Sequence, residues 1–562
     1  MRLIIIGAVA AGTSAAAKAR RNSEDAQITV YEKDSFISYS GCGMPYYIGG
    51  VLESADQLTP RDPAFFKSKY NVDIFTSHEV LSIDRDNRSV EVRNLMTGDV
   101  FRDTYDRLIL ATGARAVVPP LKGADGAQVF TLRNINDMNR IKSFIDTKKI
   151  RSAVIIGTGF IGLEICENLA GIGIPVTMIE KLPQVTPGLD ADMAVYVKAH
   201  LEKHGIRVLT GASVSEITDS RVLLLDGSAV EADLVLLSTG VRPNTELAVK
   251  AGIVLGITGA IKVDEFMRTN DPDVYACGDC SEQYHVVTGK PVYRPLGSTA
   301  NKTGRIAGDT STGGGLSFRG ILGTGIFKVF DMTVAQTGLS EREAREQGYD
   351  VAVCHNIKPD KPKYMGGKEM VIKGIADKAT GRLLGAQIVG EEGVDKRIDV
   401  FATAITFKAN VEDLFHLDLA YAPPFSTTKD PVMYTGMILD NAIRQGRPLI
   451  TPKELGALMD AGQEYTLIDA RSVKQYAEGH VETAENVPHA KLRKALPDMD
   501  RDKVTITYCN KGVTGNAAQN ILLNNGFKEV YNLSGGYKQF CMNNENSARE
   551  KKRTASDQPG EI

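Results

Sequence analysis

The 562-residue chain contains no tryptophan, no excess of one charge and only 7 cysteines. These cysteines are odd in number and widely spread, which excludes a disulfide scaffold and predicts reduced thiols in a cytoplasmic protein. The 66 Lys and Arg nearly balance the 69 Asp and Glu. The resulting net charge of -3 gives no electrostatic case for nucleic acid or an anionic membrane.

Long apolar runs are also missing. No stretch of about 18 apolar residues occurs, so no membrane span is expected. The first residues, 1–17, have the charge, apolar run and small residues of a secretory signal peptide. Gly7 and Gly12, however, fall where a strand-turn-helix unit needs them, which favours a folded N-terminus.

The sequence is rich in glycine, with 54 residues. The chain is long enough for about three to five domains. The apolar run Arg2–Ile6 predicts a buried strand, Gly7 to Gly12 a turn, and the alanine-rich stretch after it a helix. A second apolar strand ends at Glu32, 25 residues after Gly7. This spacing is typical of a Rossmann dinucleotide-binding unit, although Val9 replaces its middle glycine.

A second dinucleotide unit is clearer. Strand Ala153–Ile156 precedes the full pattern Gly157-Thr158-Gly159-Phe160-Ile161-Gly162, and strand Val176–Ile179 leads to Glu180. A carboxylate at Glu180 would accept a hydrogen bond from a free ribose 2'-hydroxyl and repel a 2'-phosphate. NADH is therefore expected over NADPH, with Lys181 weakening the preference.

Cys42 stands between two glycines, in Ser38-Tyr39-Ser40-Gly41-Cys42-Gly43-Met44-Pro45. Glycines leave the sulfur uncovered and allow positive φ. A helix beginning near Met44 would lower the pKa of the thiol through its dipole. We interpret Cys42 as a redox sulfur facing a flavin; a buried structural cysteine is the alternative.

Several strands end in small-residue turns that let the chain pass close to a nucleotide. Thr112-Gly113 and Thr239-Gly240 are two of them, and a third strand runs into Cys277-Gly278-Asp279, whose aspartate can hydrogen-bond a ribitol hydroxyl. Cys277 and Cys280 form a C-x-x-C pair. No second ligand pair follows, so we predict packing residues and no metal site.

The order of these motifs resembles the two-dinucleotide flavin disulfide reductases over about residues 1–441. A lone Cys42 resembles their single-cysteine branch of coenzyme A disulfide reductases, NADH peroxidases and NADH oxidases, although Gly41 stands where that branch usually has Asn. The resemblance implies FAD in the first unit, NADH or NADPH in the second, and a homodimer. The residues it assigns to these cofactors are Gly7, Ala11, Gly12, Glu32, Lys33, Thr112, Gly113, Asp279, Ala300, Gly157, Gly159, Gly162, Glu164, Glu180 and Gly240.

The same resemblance implies a coenzyme A site shared between subunits. Tyr364 and Tyr421 match tyrosines that reach the partner subunit's cysteine, and ordinary packing is their alternative. A phenol donor there would stabilise a thiolate. The implied coenzyme A contacts are Ser14, Lys18, Arg21 and Ser38, with Lys429 from the partner. Without the resemblance, the helical spacing of Ser14, Lys18 and Arg21 favours a solvated polar face.

A further unit begins at about Thr451 and resembles a rhodanese sulfurtransferase over about 95 residues. Cys509 ends the apolar strand Val504–Tyr508 and opens the loop 509–515, whose backbone N–H groups could surround a sulfur anion. Lys511 adds a positive charge, and a helix from about Asn516 would point its N-terminus at the sulfur. An inactive rhodanese-like fold is the alternative. Cys166, Cys354 and Cys541 are expected to be packing residues.

The expected fold is α/β: two Rossmann-like domains of the glutathione-reductase type, an α+β dimerisation domain and an α/β rhodanese domain. The predicted ranges are 1–117 and 244–318 for the FAD domain, 118–243 for the NAD(P)H domain, 319–441 for dimerisation, 442–450 for a linker, 451–545 for rhodanese and 546–562 for a disordered tail.

The leading hypothesis joins the two cysteines. Cys509 accepts sulfane sulfur as a persulfide and passes it to a carrier thiol such as coenzyme A. Cys42 attacks the carrier persulfide, and hydride from NADH through FAD releases sulfide. The alternatives are a coenzyme A disulfide reductase for thiol homeostasis, a peroxidase or oxidase with a Cys42 sulfenic acid, and a non-catalytic redox sensor.

Overall fold

The computed structural model describes residues 1–544 and divides the chain into two compact units. The first comprises Met1–Pro183 and Ile206–Gly323, and the second comprises Gln184–Gly205 and the chain from Thr324 onward. The tail predicted to be disordered, 546–562, lies outside the described residues.

The first unit contains two parallel sheets. Their strands read as continuous apolar runs because helices and loops bury both faces. The order of the first sheet is Val274–Ala276, Arg107–Leu110, Arg2–Ile6, Gln27–Tyr31, Asp73–Phe75. The order of the second is Arg207–Thr210, Val176–Glu180, Ala153–Ile156, Leu234–Leu237, Val129–Phe130.

Smaller antiparallel pairings complete this unit. They are His78–Asp84 with Ser89–Asn94 and Val100–Thr104; Val214–Ile217 with Arg221–Leu224 and Ala229–Glu231; Ala114–Ala116 with Val241–Pro243; and Gln283–Tyr284 with Pro291–Val292. The α-helices are Ala10–Asn22, Met44–Ile48, Pro63–Tyr70, Ile135–Thr147, Phe160–Gly171, Glu246–Lys250 and Gly297–Thr310.

The alanine-rich helix Ala10–Asn22 packs closely on helix Gly297–Thr310. A Cβ at Gly304 would lie 2.2 Å from the carbonyl oxygen of Ala11, and one at Gly308 would lie 2.2 Å from that of Ala15. Only small residues permit such an approach of two backbones.

In the second unit an antiparallel sheet has the order Gly325–Val329, Met332–Gly338, Leu383–Gly390, Glu369–Asp377, Val351–Pro359. The helices preceding the rhodanese-like part are Ala191–Lys203, Glu341–Glu346, Val394–Thr406, Asp413–His416 and Pro431–Ile443. Lys373 is buried in this sheet and its Nζ lies 2.8 Å from both carboxylate oxygens of Asp192 and from Glu341 Oε2. Its carboxylate neighbours raise the pKa of Lys373 although burial opposes them, so the amine stays charged.

The C-terminal part is a parallel sheet of order Leu449–Ile450, Val530–Leu533, Thr505–Tyr508, Thr466–Asp469, Glu485–Asn486. Its helices are Pro452–Asp460, Val473–Glu478, His489–Ala495 and Val513–Leu523. The segment predicted as a linker, 442–450, thus includes the end of one helix and a strand of this sheet. Within the described residues, no helix is long and apolar enough to cross a bilayer.

Candidate active site

The first glycine turn lies at the carboxyl end of strand Arg2–Ile6. Gly7 has φ +105°, and a Cβ there would lie 2.2 Å from the carbonyl oxygen of Ala111, so only glycine fits. Glu32 reaches back from the neighbouring strand. Its carboxylate accepts hydrogen bonds from the backbone N–H groups of Ala8 (2.7 Å) and Asp34 (2.9 Å). Burial raises the pKa of Glu32.

The second turn repeats this arrangement. Gly157 has φ +102°, and a Cβ would lie 2.3 Å from the carbonyl oxygen of Ser238. Glu180 accepts hydrogen bonds from the N–H (3.0 Å) and hydroxyl (2.7 Å) of Thr158 and from the N–H of Leu182 (3.0 Å). Both acids therefore hold their glycine turns from the next strand, as two dinucleotide sites require.

The helices that follow these turns fit a bound pyrophosphate. Neither Ala10–Asn22 nor Phe160–Gly171 has a side-chain N-cap or an acidic residue in its first turn. The dipole of each helix favours an anion at this end. A Cβ built on Gly159 meets nothing within 4 Å, which leaves space for a phosphate to approach the backbone. The residues present thus fit a dinucleotide at each turn.

Other predicted cofactor residues surround the first turn. Thr112 donates its hydroxyl to the carbonyl of Asn244 (2.7 Å), and Gly113 has φ +66°. Asp279 lies in the 3-10 turn Gly278–Cys280, and Ala300 is buried in helix Gly297–Thr310. Lys33 is exposed beside Glu32, whereas Ala11 and Gly12 are buried under the turn. Around the second turn, Gly162 is buried, Glu164 is half-buried, and Gly240 has φ +101°.

Cys42 is exposed, in the 3-10 turn Gly41–Gly43 immediately before helix Met44–Ile48. The predicted helix start is confirmed. The predicted lowering of the thiol pKa is wrong: desolvation raises the pKa of Cys42, the charge of Glu164 raises it further, and Arg133 opposes them. A helix of 5 residues has little dipole to offset this.

The glycines beside Cys42 also act differently from the prediction. Neither Gly41 nor Gly43 has positive φ; the left-handed residue nearby is Ser38, with φ +48°. Gly43 is needed for packing, since a Cβ there would lie 2.2 Å from Leu58 Cδ2. Leu58 thus packs against Gly43, and Cys42 next to it is exposed.

Arg133 is a site residue that sequence reasoning missed. Its Nη2 lies 2.6 Å from Asp279 Oδ2, its Nε donates to the carbonyl of Ala114, and its charge acts on Cys42. Arg133 belongs to no motif and is 146 residues from its partner, so no local signal marks it.

Glu164 is the second charged group near Cys42. Burial, and to a smaller extent Glu167, raise the pKa of Glu164 to about 7. Its neighbour Tyr46 also has a raised pKa, from burial and from the charge of Glu164. A carboxyl group with a pKa near neutrality in an active site can take up or release a proton during turnover.

The predicted coenzyme A residues on helix Ala10–Asn22 have partners within the unit. Ser14 donates to Asn301 Oδ1 (2.6 Å), and Lys18 Nζ lies 2.9 Å from Asp309 Oδ1. Arg21 is exposed, with its guanidinium over the ring of Tyr70 at 5.6 Å. Ser14 and Lys18 therefore contact a neighbouring helix. The solvated polar face that their helical spacing favours does not form at these two residues.

Tyr364, Tyr421 and Lys429 lie in the second unit, and all are exposed. Tyr364 is 76% exposed and Tyr421 is 49% exposed, so ordinary core packing does not account for either ring. Phe425, 70% exposed, lies in the same loop as Tyr421. Exposed aromatic side chains of this kind are typical of surfaces that are covered by another protein.

Cys509 follows strand Thr505–Tyr508 and is buried. Helix Val513–Leu523 begins three residues earlier than predicted, because Gly512 takes φ +93° and turns the chain into it. The carbonyl of Cys509 accepts the N–H of Tyr537 (2.8 Å), and that of Asn510 accepts the N–H of Lys538 (3.1 Å). The loop is thus fixed by the segment that follows the strand Val530–Leu533.

Arg471 contacts several residues around the Cys509 loop. Its guanidinium bonds both carboxylate oxygens of Asp469, with the shortest distance 2.6 Å, and lies 4.2 Å from the ring centre of Tyr537. It also donates to Asn510 Oδ1 (3.3 Å). A bidentate, stacked guanidinium of this type holds its neighbours in one geometry.

Within residues 1–544, the remaining cysteines form no disulfide. Cys277, Cys280, Cys166 and Cys354 are buried, and burial raises the pKa of each thiol. Cys541 is half-buried. Among the residues described, the side chains with metal-site geometry are His200, His204 and Asp331, whose ligand atoms lie within 4.8 Å of one another.

Three family models match the chain. Pyridine nucleotide-disulphide oxidoreductase matches residues 1–295, the dimerisation domain of the same family matches 325–431, and a rhodanese-like domain matches 451–543. The α/β fold class and its rhodanese part are thereby confirmed. The first of these models covers the Gly7 turn, Cys42 and the Gly157 turn together.

Named proteins are similar over most of the chain. The reduced Bacillus anthracis CoADR-RHD structure has 37% identity and a TM-score of 0.94, covering 96% of this chain and 98% of that one. The NAD-dependent persulfide reductase from A. fulgidus has 38% identity and a TM-score of 0.89, covering 96% and 100%. The NAD(P)H sulfur oxidoreductase (CoA-dependent) of Pyrococcus furiosus is 37% identical over 78% of this chain and 99% of its own length.

Proposed function

Because this chain belongs to the pyridine nucleotide-disulphide oxidoreductase family, we propose that it is an NAD(P)H-dependent flavoprotein that reduces persulfide sulfur to sulfide. Cys42 is the reducing-site sulfur, and Cys509 delivers the sulfur that is reduced. The proposal rests on two features found in one chain. Cys42 is exposed and lies between the two dinucleotide turns in the sequence, and the rhodanese loop at Cys509 is held by backbone hydrogen bonds. A homodimer is part of the proposal, since residues 325–431 match a dimerisation domain.

The two glycine turns hold the cofactors. Glu32 and the helix Ala10–Asn22 bind FAD, and Glu180 and the helix Phe160–Gly171 bind NADH. Bound together, these cofactors supply the electron pair of NADH to the sulfur on Cys42. Glu180 favours NADH over NADPH, because its buried carboxylate would repel a 2'-phosphate.

At Cys42 the chemistry is two sulfur steps. The thiolate attacks the outer sulfur of a carrier persulfide, the carrier thiolate leaves, and a Cys42 persulfide forms. Two electrons and a proton then release sulfide and restore the Cys42 thiolate. Glu164, whose pKa is about 7, would exchange that proton.

Coenzyme A is the proposed carrier. Ser14, Lys18, Arg21 and Ser38 would contact it from one subunit, and Lys429 from the partner. Tyr364 and Tyr421 of the partner subunit would donate hydrogen bonds to the thiolate at Cys42, and their exposure in a single chain leaves them free to do so.

A second candidate is a coenzyme A disulfide reductase for thiol homeostasis, which the similarity to CoADR-RHD favours. In that case Cys42 attacks a disulfide and the rhodanese part is peripheral. NADH turnover as fast with coenzyme A disulfide as with coenzyme A persulfide would establish it.

The test is stopped-flow reoxidation of the reduced flavin by coenzyme A persulfide in the parent, Cys42→Ser and Cys509→Ser. Cys42→Ser should abolish reoxidation. Cys509→Ser should leave it unchanged with the small persulfide and block sulfide release only from bulk sulfur donors. Full reoxidation in Cys42→Ser would refute the proposal.

A further inference from the structure

Two histidines and an aspartate form a cluster in the second unit, away from both cysteine sites in the sequence. His200 and His204 are four residues apart at the carboxyl end of helix Ala191–Lys203, and their ring centres lie 4.4 Å apart. Asp331 lies in the tight turn before strand Met332–Gly338. Its Oδ1 is 2.9 Å from His200 Nε2 and 3.6 Å from His204 Nε2. Three potential metal ligands therefore converge from two elements of one unit.

The separations within this cluster match the size of a tetrahedral metal site. Zinc bonds of about 2.1 Å to imidazole nitrogen and carboxylate oxygen place two tetrahedral ligands about 3.4 Å apart. The two distances to Asp331 Oδ1, 2.9 Å and 3.6 Å, lie on either side of that value. One ligand atom from each of the three residues lies within 4.8 Å of the others. Small rotations of the side chains would thus close the three atoms around one ion.

Both histidines can present a lone pair to an ion. His204 Nδ1 lies 2.9 Å from the carbonyl oxygen of His200. Because a carbonyl only accepts, Nδ1 carries the proton and the neutral ring has its lone pair on Nε2, as is typical of metal-binding histidines. His200 is 7% exposed, and its Nε2 makes no hydrogen bond within the described residues. The contact of this nitrogen with Asp331 lacks the direction of a hydrogen bond, so a buried nitrogen is left for another partner.

The turn that carries Asp331 also holds the ring of His204. Phe330 has φ +54°, a left-handed conformation that a bulky residue rarely adopts. The Phe330 ring stacks on the His204 ring with centres 4.2 Å apart and planes 3° apart. The side chain of Asp331 is 57% exposed and that of His204 is 29% exposed. Water can therefore reach an ion at this cluster and complete its coordination.

We propose that His200, His204 and Asp331 bind one zinc ion, with water as the fourth ligand. Imidazole nitrogens select zinc and related transition metals, whereas magnesium and calcium prefer oxygen ligands. The ion ties helix Ala191–Lys203 to the turn of the dimerisation domain and stabilises their packing, because it binds only where folding has brought the ligands together. None of these residues takes part in the proposed sulfur chemistry, so the site and the proposed function stand or fall separately.

The test is zinc binding by the full-length flavoprotein, from which metal has been removed with EDTA. Isothermal titration with Zn²⁺ compares the parent with His204→Gln, Asp331→Asn and the matched control His416→Gln. His416 is an exposed histidine of the same unit, 3.9 Å from Glu412.

The parent and His416→Gln should bind one equivalent with a Kd of about 1–10 µM, since the charge of Lys203 acts on the cluster and opposes tighter binding. Each ligand variant should bind about 100-fold more weakly, because even the loss of a residue that only orients a ligand costs about 10- to 100-fold. Equal affinity in the parent and His204→Gln would overturn the site.

Thiols also bind zinc, and Cys42 is exposed, so the ligand atoms are identified by X-ray absorption. The complex of the parent with one equivalent of zinc should show nitrogen or oxygen neighbours at about 2.0–2.1 Å. A thiolate ligand would add sulfur at about 2.3 Å. Sulfur in the first shell of that complex would assign the ion to cysteine and overturn the inference.

A third measurement needs no variant. Hydrogen exchange followed by mass spectrometry compares the parent in zinc and in EDTA. With free zinc at about ten times its Kd, exchange at the end of helix Ala191–Lys203 and at Phe330 and Asp331 should slow by about tenfold. Exchange in strand Thr505–Tyr508 of the rhodanese domain should not change. Unchanged exchange at both the helix end and the turn would overturn the inference, even if His204→Gln does not fold.

Discussion

Replacing Glu164 by Gln should make the Cys42 thiol more reactive above neutral pH. In the structure the charge of Glu164 raises the pKa of Cys42, and Glu164 itself has a pKa of about 7. Below pH 7 Glu164 is largely protonated, so parent and variant should react alike. Above pH 7 the parent acquires a carboxylate beside Cys42 and the variant does not. The difference between them should therefore appear as the pH rises through 7.

The size of the effect follows from Coulomb's law. For scale, two unit charges ~10 Å apart at an effective dielectric constant of ~20 interact by about 1.7 kcal/mol, slightly more than one pKa unit. Cys42 is exposed, and solvent screening reduces this value. Where the thiolate is a minor species, its fraction should thus be about three- to tenfold higher in Glu164→Gln. At pH values above the Cys42 pKa of both the parent and the variant, their thiolate fractions should again be equal.

The assay is iodoacetamide alkylation of Cys42 in the oxidised flavoprotein, followed by mass spectrometry from pH 6 to 10. Glu167→Gln is the matched control, because Glu167 raises the pKa of Glu164 and is not among the groups acting on Cys42. That variant should retain the slow alkylation of the parent at pH 8.5. If the rates of Glu164→Gln and the parent superimpose above pH 8, the proposed electrostatic coupling is wrong.

Three further outcomes are expected. Lys373→Met should lower the free energy of unfolding in urea by about 3–5 kcal/mol, since it leaves buried carboxylates without their cation. The control Lys378→Met should not lower it. Equal urea midpoints for Lys373→Met and the parent would contradict the argument. Gly43→Ala should lower the free energy of unfolding by about 1–3 kcal/mol, because the added methyl group would contact Leu58. The loss should be smaller when Leu58 is also replaced by Ala. An equal loss in both backgrounds would rule out this contact as the cause. Glu180→Gln should raise kcat/KM for NADPH relative to NADH by about tenfold in steady-state assays, and an unchanged ratio would remove Glu180 from nucleotide selection.

Local spacing determined a large part of the fold. The glycine turns and the acids that follow them, Glu32 and Glu180, could be predicted because each unit is built from adjacent strands, helices and turns. The glycines at positions 7 and 157 are required by backbone contacts within these units. The helix start at Met44 and the strand before Cys509 depend on local signals of the same kind.

The sequence-based predictions failed where a property of the site depends on a residue far away along the chain. The pKa of Cys42 is raised by desolvation and by Glu164, which comes from another part of the first unit, 122 residues further along the chain. Likewise, Arg133 meets Asp279 across 146 residues. The helix after Cys509 begins early because Gly512 adopts a left-handed conformation, which a glycine-rich loop allows but does not specify.

The sequence by itself determined that the chain has two dinucleotide units, a lone cysteine beside the first, and a rhodanese loop. These features depend on hydrogen bonds and turns between near neighbours. Only the tertiary structure decided which charges surround each sulfur, because Coulomb interactions and desolvation act between groups that folding brings together from separate segments. The charge of Glu164 acting on Cys42 belongs to that second class.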